Sequence, residues 1–424
     1  MMAFGLAAPV AVIWVLATAG RSPHKALGAA ALAATIGVLY APALGYGFIL
    51  DDFFFARPLT LRQLLSTFWG NWDPLGLGNG QYRPILALVL ALDYEIWGPR
   101  TWGYHLTNLV ILFVNGLLAS ELLRRLTGSA RAGLAGALAW VAHPLSTSVA
   151  GWCAERTDSV MAAFYLAALL ALTSVPWSRR ALVLTLTLGA LSLGSKEMAA
   201  TLPATAAAVL VFGTLDRRGR WTAVASLGVL TAVYIAWWIH LLPTKASLKL
   251  EGAIQQVPHL LLPIFFPSSY ERWWHAEPAS WLLLGPLVLA MVGTWLLLRR
   301  HHDPRPARSF ALAAAWPILT IGPIFGLRPP DVYRLGFLIA FAFALALAAM
   351  VAALEARRFA PVILMGALAL GFAPLARDSV AVWGPGGFQY SQIIRWNLMN
   401  PDWDQQLSPE MRRVFKKQMR KHPP

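Results

Sequence analysis

Apolar residues recur along this chain in runs of about 18–22 positions, a length that matches the roughly 30 Å hydrocarbon core of a bilayer. The pattern predicts spans near 4–20, 27–47, 104–123, 132–149, 158–174, 181–193, 198–214, 222–241, 281–298, 309–327, 334–354 and 360–376, about twelve in all. Residues 1–376 therefore read as one transmembrane domain, interrupted by long outer segments at 48–103 and 242–280 and followed by a short tail, 377–424. Within the first outer segment, "LTLRQLLSTFWGNW" has the helical apolar spacing and aromatics of a helix lying in the interface. "YRPILALVLALDYEIWG" has Pro84 placed to open a helix. It is short and carries Asp93 and Glu95, so a juxtamembrane helix is expected rather than a span. In the tail, Ser408 is a candidate N-cap and Pro409 the first helical residue. Met411, Val414, Phe415 and Met419 then share one face with bases opposite, the pattern of an amphipathic helix resting on anionic membrane lipids.

Composition supports the same class. Of 424 residues, 57% are apolar and only 13% charged, as for an all-α polytopic membrane protein. The net charge of +15 changes the picture only through its placement. The bases cluster as "RSPHK", "RRLTGSAR", "SRR", "DRRGR", "RRHHDPRPAR" and "EARR" in alternate loops. The positive-inside bias assigns those loops to the cytoplasm, and a nucleic-acid partner is not expected. Both termini then face outward. Ala17-Thr18-Ala19 looks like a cleavage site, but no basic stretch precedes it, so an uncleaved first span is expected. The lone Cys153 excludes an internal disulfide.

Sixteen of the twenty acids fall on the outer side, and only Glu121, Asp216, Asp303 and Glu355 fall inward. Functional polarity is therefore sought outside. "GFILDDFFFARP" sets Asp51 and Asp52 just beyond an apolar run, and "YRP" supplies Arg83. "HPLSTSVAGWCAERTD" supplies His143, Glu155, Arg156 and Asp158, with Glu155 and Asp158 on one face of a helical turn. "SKE" gives Lys196 and Glu197, and "RPPDVYR" gives Arg328, Asp331, Tyr333 and Arg334. His105, Asn108 and Asn115 fall on one side of the third span, as interhelical packing or as part of a wet cavity. A carboxylate deprotonates a hydroxyl or holds a divalent cation, and a paired carboxylate has a raised pKa suited to a base. Arginine pairs bidentately with phosphate oxygens. Together these groups fit transfer from a phosphate-bearing lipid donor to a hydroxyl at one membrane face.

The ordered series "DD", "YRP", "WGYHLTNLVILFVNGLL", "HPLSTSVAGWCAERTD", "SKEMAATLPA" and "DVYRLGF", from about residue 45 to 340, resembles the TMTC-like, protein O-mannosyltransferase-related membrane glycosyltransferases of the GT-C class. The resemblance implies a GT-C fold, a sugar donor carried on a polyprenyl phosphate and a site on the non-cytoplasmic face, here the outer face of a bacterial inner membrane. The acceptor is then a protein hydroxyl or, in an alternative reading, a lipid or glycan. Asp51 and Asp52 inherit the catalytic position, with one as base in an inverting displacement. Arg83, His143, Arg156, Lys196 and Arg334 fall to the donor phosphate. Glu155, Asp158, Glu197, His105, Asp331 and Tyr333 complete the polar site. A divalent cation, Mg2+ or Mn2+, bridging Asp51 or Asp52 with Glu155 or Asp158 is a further expectation, since some members of the class use one.

The chain departs from the pattern where relatives often carry an acid and it has Ser148, and where a Glu-Arg-Tyr pattern appears as Asp331-Val332-Tyr333. Many relatives continue into tetratricopeptide repeats, whereas here "IIRWNLMNPDW" matches only the start of such an array. An extra span precedes the one leading into the "DD" loop. The rival readings are a lipid or solute transporter, which would place its charges near the midplane, and an inactive scaffold.

Overall fold

The apolar runs become helices, and identifiable residues set their ends. The computed structural model describes residues 23–49, 52–70, 81–213, 218–242, 262–265, 280–321, 332–355, 374–385, 407 and 409–421, and among these all regular structure is helical. Helix α1 (Pro23–Tyr40) runs into a 3-10 turn and is followed by the short α2 (Asp52–Phe55) and α3 (Leu61–Ser66). Then come α4 (Pro84–Trp97), α5 (Thr101–Thr127), α6 (Ala130–Val141), α7 (Thr147–Gly151), α8 (Arg156–Leu172) and α9 (Arg179–Leu193). The order continues with α10 (Leu202–Phe212), α11 (Arg220–Leu241), α12 (Ser280–Leu298), α13 (Arg305–Ile321), α14 (Val332–Ile339), α15 (Phe341–Leu354) and α16 (Pro409–Lys421).

Among the described residues, four stretches, Lys25–Gly45, Thr101–Thr127, Arg220–Leu241 and Gly336–Leu354, are long and apolar enough to cross a membrane. The expected span 4–20 and nearly all of 360–376 lie outside the described residues, as does most of the 242–280 loop. Two expected spans are corrected. The segment 132–149 stops being one helix at Val141, because a residue before proline is pushed out of the α region. His143 there has φ −66° and ψ 137°, and Pro144 opens a separate 3-10 turn. The segment 198–214 begins as a 3-10 turn, Glu197–Thr201, before α10.

The core forms where small residues let helices approach. A Cβ on Gly136 of α6 would lie 2.7 Å from the Ala344 carbonyl of α15, so only glycine allows this crossing. Buried Trp140 stacks on Phe337 at 4.5 Å between ring centres and donates its indole N–H to the Phe337 carbonyl at 2.8 Å. Trp316 donates likewise to Leu338 at 2.9 Å, which satisfies both indoles inside the apolar core.

The two ends of α8 differ in chemistry. At its C-terminus, Arg125 Nη1 donates to the Leu170 carbonyl at 2.8 Å, and Arg220 donates to the Leu172 and Ser174 carbonyls at 3.0 and 2.8 Å. These bases thus satisfy carbonyls that a helix end leaves unpaired. The acid-rich turn at the other end of α8 builds the site.

Helix α16 begins at Pro409 as its sequence predicts, with Ser408 outside the described residues. Its apolar face does not rest on lipid headgroups. Met411 is buried with Phe48, Phe53, Tyr104 and Cys153, and Val414 and Phe415 pack against that cluster. The aromatic residues at 48 and 53 offer a protein surface to this face, and burying it there leaves only the basic face outward.

Candidate functional site

The turn from Cys153 to Asp158 gathers partners from three other segments. Asp52 opens α2 and is buried. Its Oδ2 accepts the Ile49 N–H at 3.0 Å and its Oδ1 accepts the Ala154 N–H at 2.6 Å. One carboxylate therefore closes its own loop and ties that loop to the turn.

Arg156 begins α8 and is fully buried. Its Nη1 lies 2.5 Å from Asp93 Oδ2, its Nε donates to Asn108 Oδ1 at 2.7 Å, and its Nη2 donates to the Tyr104 carbonyl at 2.7 Å. The Thr107 hydroxyl donates to the other Asp93 oxygen at 2.9 Å. The guanidinium thus joins α4, α5 and α8. A buried charge is tolerated when it is paired and hydrogen-bonded in this way.

Glu155 and Asp158 do share a face, and the group that meets them is Lys196. Its Nζ hydrogen-bonds Asp158 and lies 3.4 Å from Glu155 Oε1. The adjacent Glu197 takes a different partner. Arg83, the residue that caps α4 before Pro84, reaches it through Nε to Oε2 at 3.0 Å and Nη2 to Oε1 at 2.6 Å. This is a bidentate fork of the kind arginine also offers to phosphate. The Glu197 side chain keeps 30% of its surface exposed, against 5% or less for Lys196, Glu155 and Asp158. Glu197 sits in the turn between α9 and α10. Burial opposes its charge, yet the Arg83 guanidinium prevails and holds its carboxyl down to about 2.

An open apolar groove of about 460 Å³ adjoins this pair. Tyr82, Pro84 and Ile85, the neighbours of Arg83, line it together with Trp69 from beyond α3 and Tyr234 and Trp237 from α11. Its wall is thus contiguous with the residue that carries the bidentate fork.

The remaining expected residues are distributed differently. His143 is buried: its Nδ1 accepts the Leu145 N–H at 3.1 Å, and Nε2 lies 3.1 Å from the Ile264 carbonyl, so the proton belongs on Nε2. His105 is buried with Cys153 Sγ 3.7 Å from its ring. Asn108 donates to the Trp152 carbonyl at 3.1 Å and Asn115 to the Ser159 carbonyl at 2.8 Å, so both lace α5 to the turn and α8. Asp51 and Asp331 lie outside the described residues, as do the side chains of Tyr333 and Arg334.

A divalent cation fits poorly among the described carboxylates. Asp52 receives a backbone N–H on each oxygen, and Glu155 and Asp158 converge on an ammonium. No group of three or more metal-ligating side chains occurs among the described residues. Sequence reasoning noted Asp93 only as an acid in a short helix and missed its pairing with Arg156. An acid on a helix otherwise apolar is costly unless paired, and that was the available signal. Nothing in the pattern pointed to the Tyr82–Tyr234–Trp237 groove.

No family model matches the chain. It is 31% identical to protein O-mannosyl-transferase Tmtc1 of Drosophila melanogaster over 205 residues, 46% of this chain and 23% of that protein. It is 28% identical to protein O-mannosyl-transferase tmtc2 of Xenopus laevis over 151 residues, 33% of this chain and 18% of that protein. The chain thus spans less than a quarter of the length of these curated relatives. The crystal structure of ArnT from Cupriavidus metallidurans bound to undecaprenyl phosphate is similar with a TM-score of 0.44 and 14% identity, covering 90% of this chain and 80% of that one. The motif resemblance is thus matched by sequence similarity to TMTC proteins over part of the chain, 46% and 33% of it in these two cases.

Proposed function

We propose that this chain is a GT-C membrane glycosyltransferase that moves a sugar from a polyprenyl phosphate to an acceptor hydroxyl at the outer face of a bacterial inner membrane. The observation that carries the reading is the convergence of the Asp52 loop, Arg156–Asp93 and Lys196–Asp158 on one turn, Cys153 to Asp158. The similarity to O-mannosyl-transferases supports the reaction class. The apolar groove beside Arg83 supports a lipid-borne donor, since it sets a hydrocarbon-compatible wall next to a phosphate-compatible fork.

In this mechanism the acceptor oxygen attacks the anomeric carbon as the bond from that carbon to the phosphate oxygen breaks. The bonding electron pair leaves with the lipid phosphate, and the hydroxyl proton passes to a carboxylate of the "DD" pair. One displacement inverts the anomeric centre. Because Asp52 holds both its own loop and the turn, we assign it to positioning and assign the base role to Asp51. Arg83 takes the departing phosphate, exchanging Glu197 for it, while Arg156 holds α4, α5 and α8 in register. No step is routed through a metal.

The test is sugar transfer by purified protein from a polyprenyl-phosphate hexose, with co-extracted lipids weighed by mass spectrometry. Asp51→Asn is expected to lose turnover, keep its melting temperature and accumulate the charged donor. An Asp51→Asn variant that turns over at the wild-type rate refutes the assignment. Donor-free protein with no transfer in either form favours transport or scaffolding instead.

A further inference from the structure

Four tyrosines are buried among the described residues, and three of them have committed their hydroxyls. Tyr40 donates to the Val141 carbonyl at 2.6 Å, Tyr104 donates to the Gly98 carbonyl at 3.0 Å, and Tyr165 hydrogen-bonds Thr201 at 3.0 Å. Tyr234 of α11 is the exception. It is 9% exposed, and its hydroxyl is shut off from solvent with no hydrogen-bond partner. Such a group gives up its hydration for nothing, and phenylalanine would fill the same space without that cost. The hydroxyl is therefore kept for something other than stability.

Its position says what that is. Leu230, Val233, Tyr234 and Trp237 follow the i, i+3, i+4, i+7 spacing of one helical stripe and form the α11 wall of the apolar groove. The end of α9 and the start of α4 supply other walls, tied together where the Ile85 N–H donates to the Gly194 carbonyl at 3.0 Å. Arg83 precedes Ile85 and Glu197 follows Gly194 within one turn of chain, so their ion pair belongs to the same junction. The Tyr234 hydroxyl lies within electrostatic reach of both charges. Tyr82, whose ring centre is 6.0 Å from that of Tyr234, already donates to the Phe68 carbonyl at 3.1 Å. Arg83 spends Nε and Nη2 on Glu197 and keeps Nη1 without a partner among the described residues. An apolar wall thus meets two donors in reserve, one neutral and one cationic.

We propose that Tyr234 is a specificity-determining residue of this groove, whose hydroxyl donates to the phosphate of a long-chain alcohol phosphate lying along the apolar wall beside Arg83. The inference rests on the reading of the groove as the donor's and deepens it, because it selects the phosphate ester over the free alcohol. A phosphate oxygen accepts from both donors at once in charge-assisted hydrogen bonds. An alcohol with the same tail fills the groove but leaves the donors unpaired, and sites built around hydrogen bonds discriminate strongly against such ligands.

The test is displacement of a dansyl-labelled farnesyl phosphate from the full chain in detergent, read by anisotropy, with farnesyl phosphate, farnesol and inorganic phosphate as competitors. Wild-type protein is expected to prefer farnesyl phosphate to farnesol and to ignore inorganic phosphate at the same concentration. In Tyr234→Phe that preference should fall about tenfold, with farnesol competition unchanged and a melting temperature equal to or above wild type. Tyr82→Phe, which loses a committed hydroxyl, should keep the preference. A wild-type preference in Tyr234→Phe overturns the proposal, as does an equal loss in Tyr82→Phe. Displacement by inorganic phosphate as effective as by farnesyl phosphate also overturns it, since the tail would then contribute nothing. No sugar or acceptor is present, so a protein that binds as expected yet never transfers a sugar keeps this inference and loses the transferase reading.

Discussion

Lys196 and Glu197 are neighbours in the chain, yet they belong to ion pairs of opposite character. Lys196 is sealed between Asp158 and Glu155, each side chain 5% exposed or less. Glu197 pairs with Arg83, whose chain neighbours Tyr82 and Pro84 line the apolar groove, and keeps 30% exposure. A sealed triad holds helices together, because its charges are shut away from water. The second pair is open on its carboxylate side, where water reaches Glu197. The difference lies in the carboxylates, since both cations are buried, the Arg83 side chain at 9% and Lys196 at 5%.

The largest expected effect breaks the sealed member. Lys196→Met leaves two carboxylates buried without their cation and should destabilise the fold by about 3–5 kcal/mol. Thermal melting in detergent checks this, and Lys196→Met/Asp158→Leu should recover part of the loss. If Lys196→Met melts like wild type, the triad is not structural. Next in size is the groove pair. Arg83→Lys keeps the charge but not the fork, so transfer should fall about tenfold with a smaller loss of stability than Lys196→Met causes. Parallel transfer assays and melts separate the two; a large melting shift without loss of transfer would reverse the roles.

The smallest effect is a pH dependence. The Glu197 carboxyl is depressed from 4.5 to about 2, so the folded state binds its proton less tightly than the unfolded state does. Its contribution is complete above pH 4.5 and disappears as pH falls through about 2. Glu197→Gln should remove this part of the acid-melting slope. An identical slope in both proteins would show that Arg83 does not hold the charge.

Much of this was legible in the chain. Pro84 and Pro409 mark helix starts, and Glu155 and Asp158 meet one cation as their spacing implies. The partners of these groups were not legible, because Asp93 and Arg156 are 63 positions apart and Arg83 and Glu197 are 114. Lys196 and Glu197, adjacent and opposite in charge, invite pairing with each other, but the extended backbone at Lys196 precedes a 3-10 turn and they take different partners. The tail's amphipathicity was plain, whereas the choice of protein over lipid for its apolar face depended on Phe48 and Phe53 lying exactly where periodicity gives no information about tertiary neighbours.

The bonds at both ends of α8 have a mechanical consequence. Arg156 fastens the first turn to α4 and α5, and Arg125 and Arg220 fasten the last carbonyls to α5 and α11. Sliding this helix by one turn, about 5.4 Å, would break the anchors at both ends at once. It behaves as a strut, not a piston. The short link from α4 to α5 turns at Gly98, whose φ of 56° is a conformation other residues rarely adopt, so both partners of the first turn are held in one fixed relation to the strut.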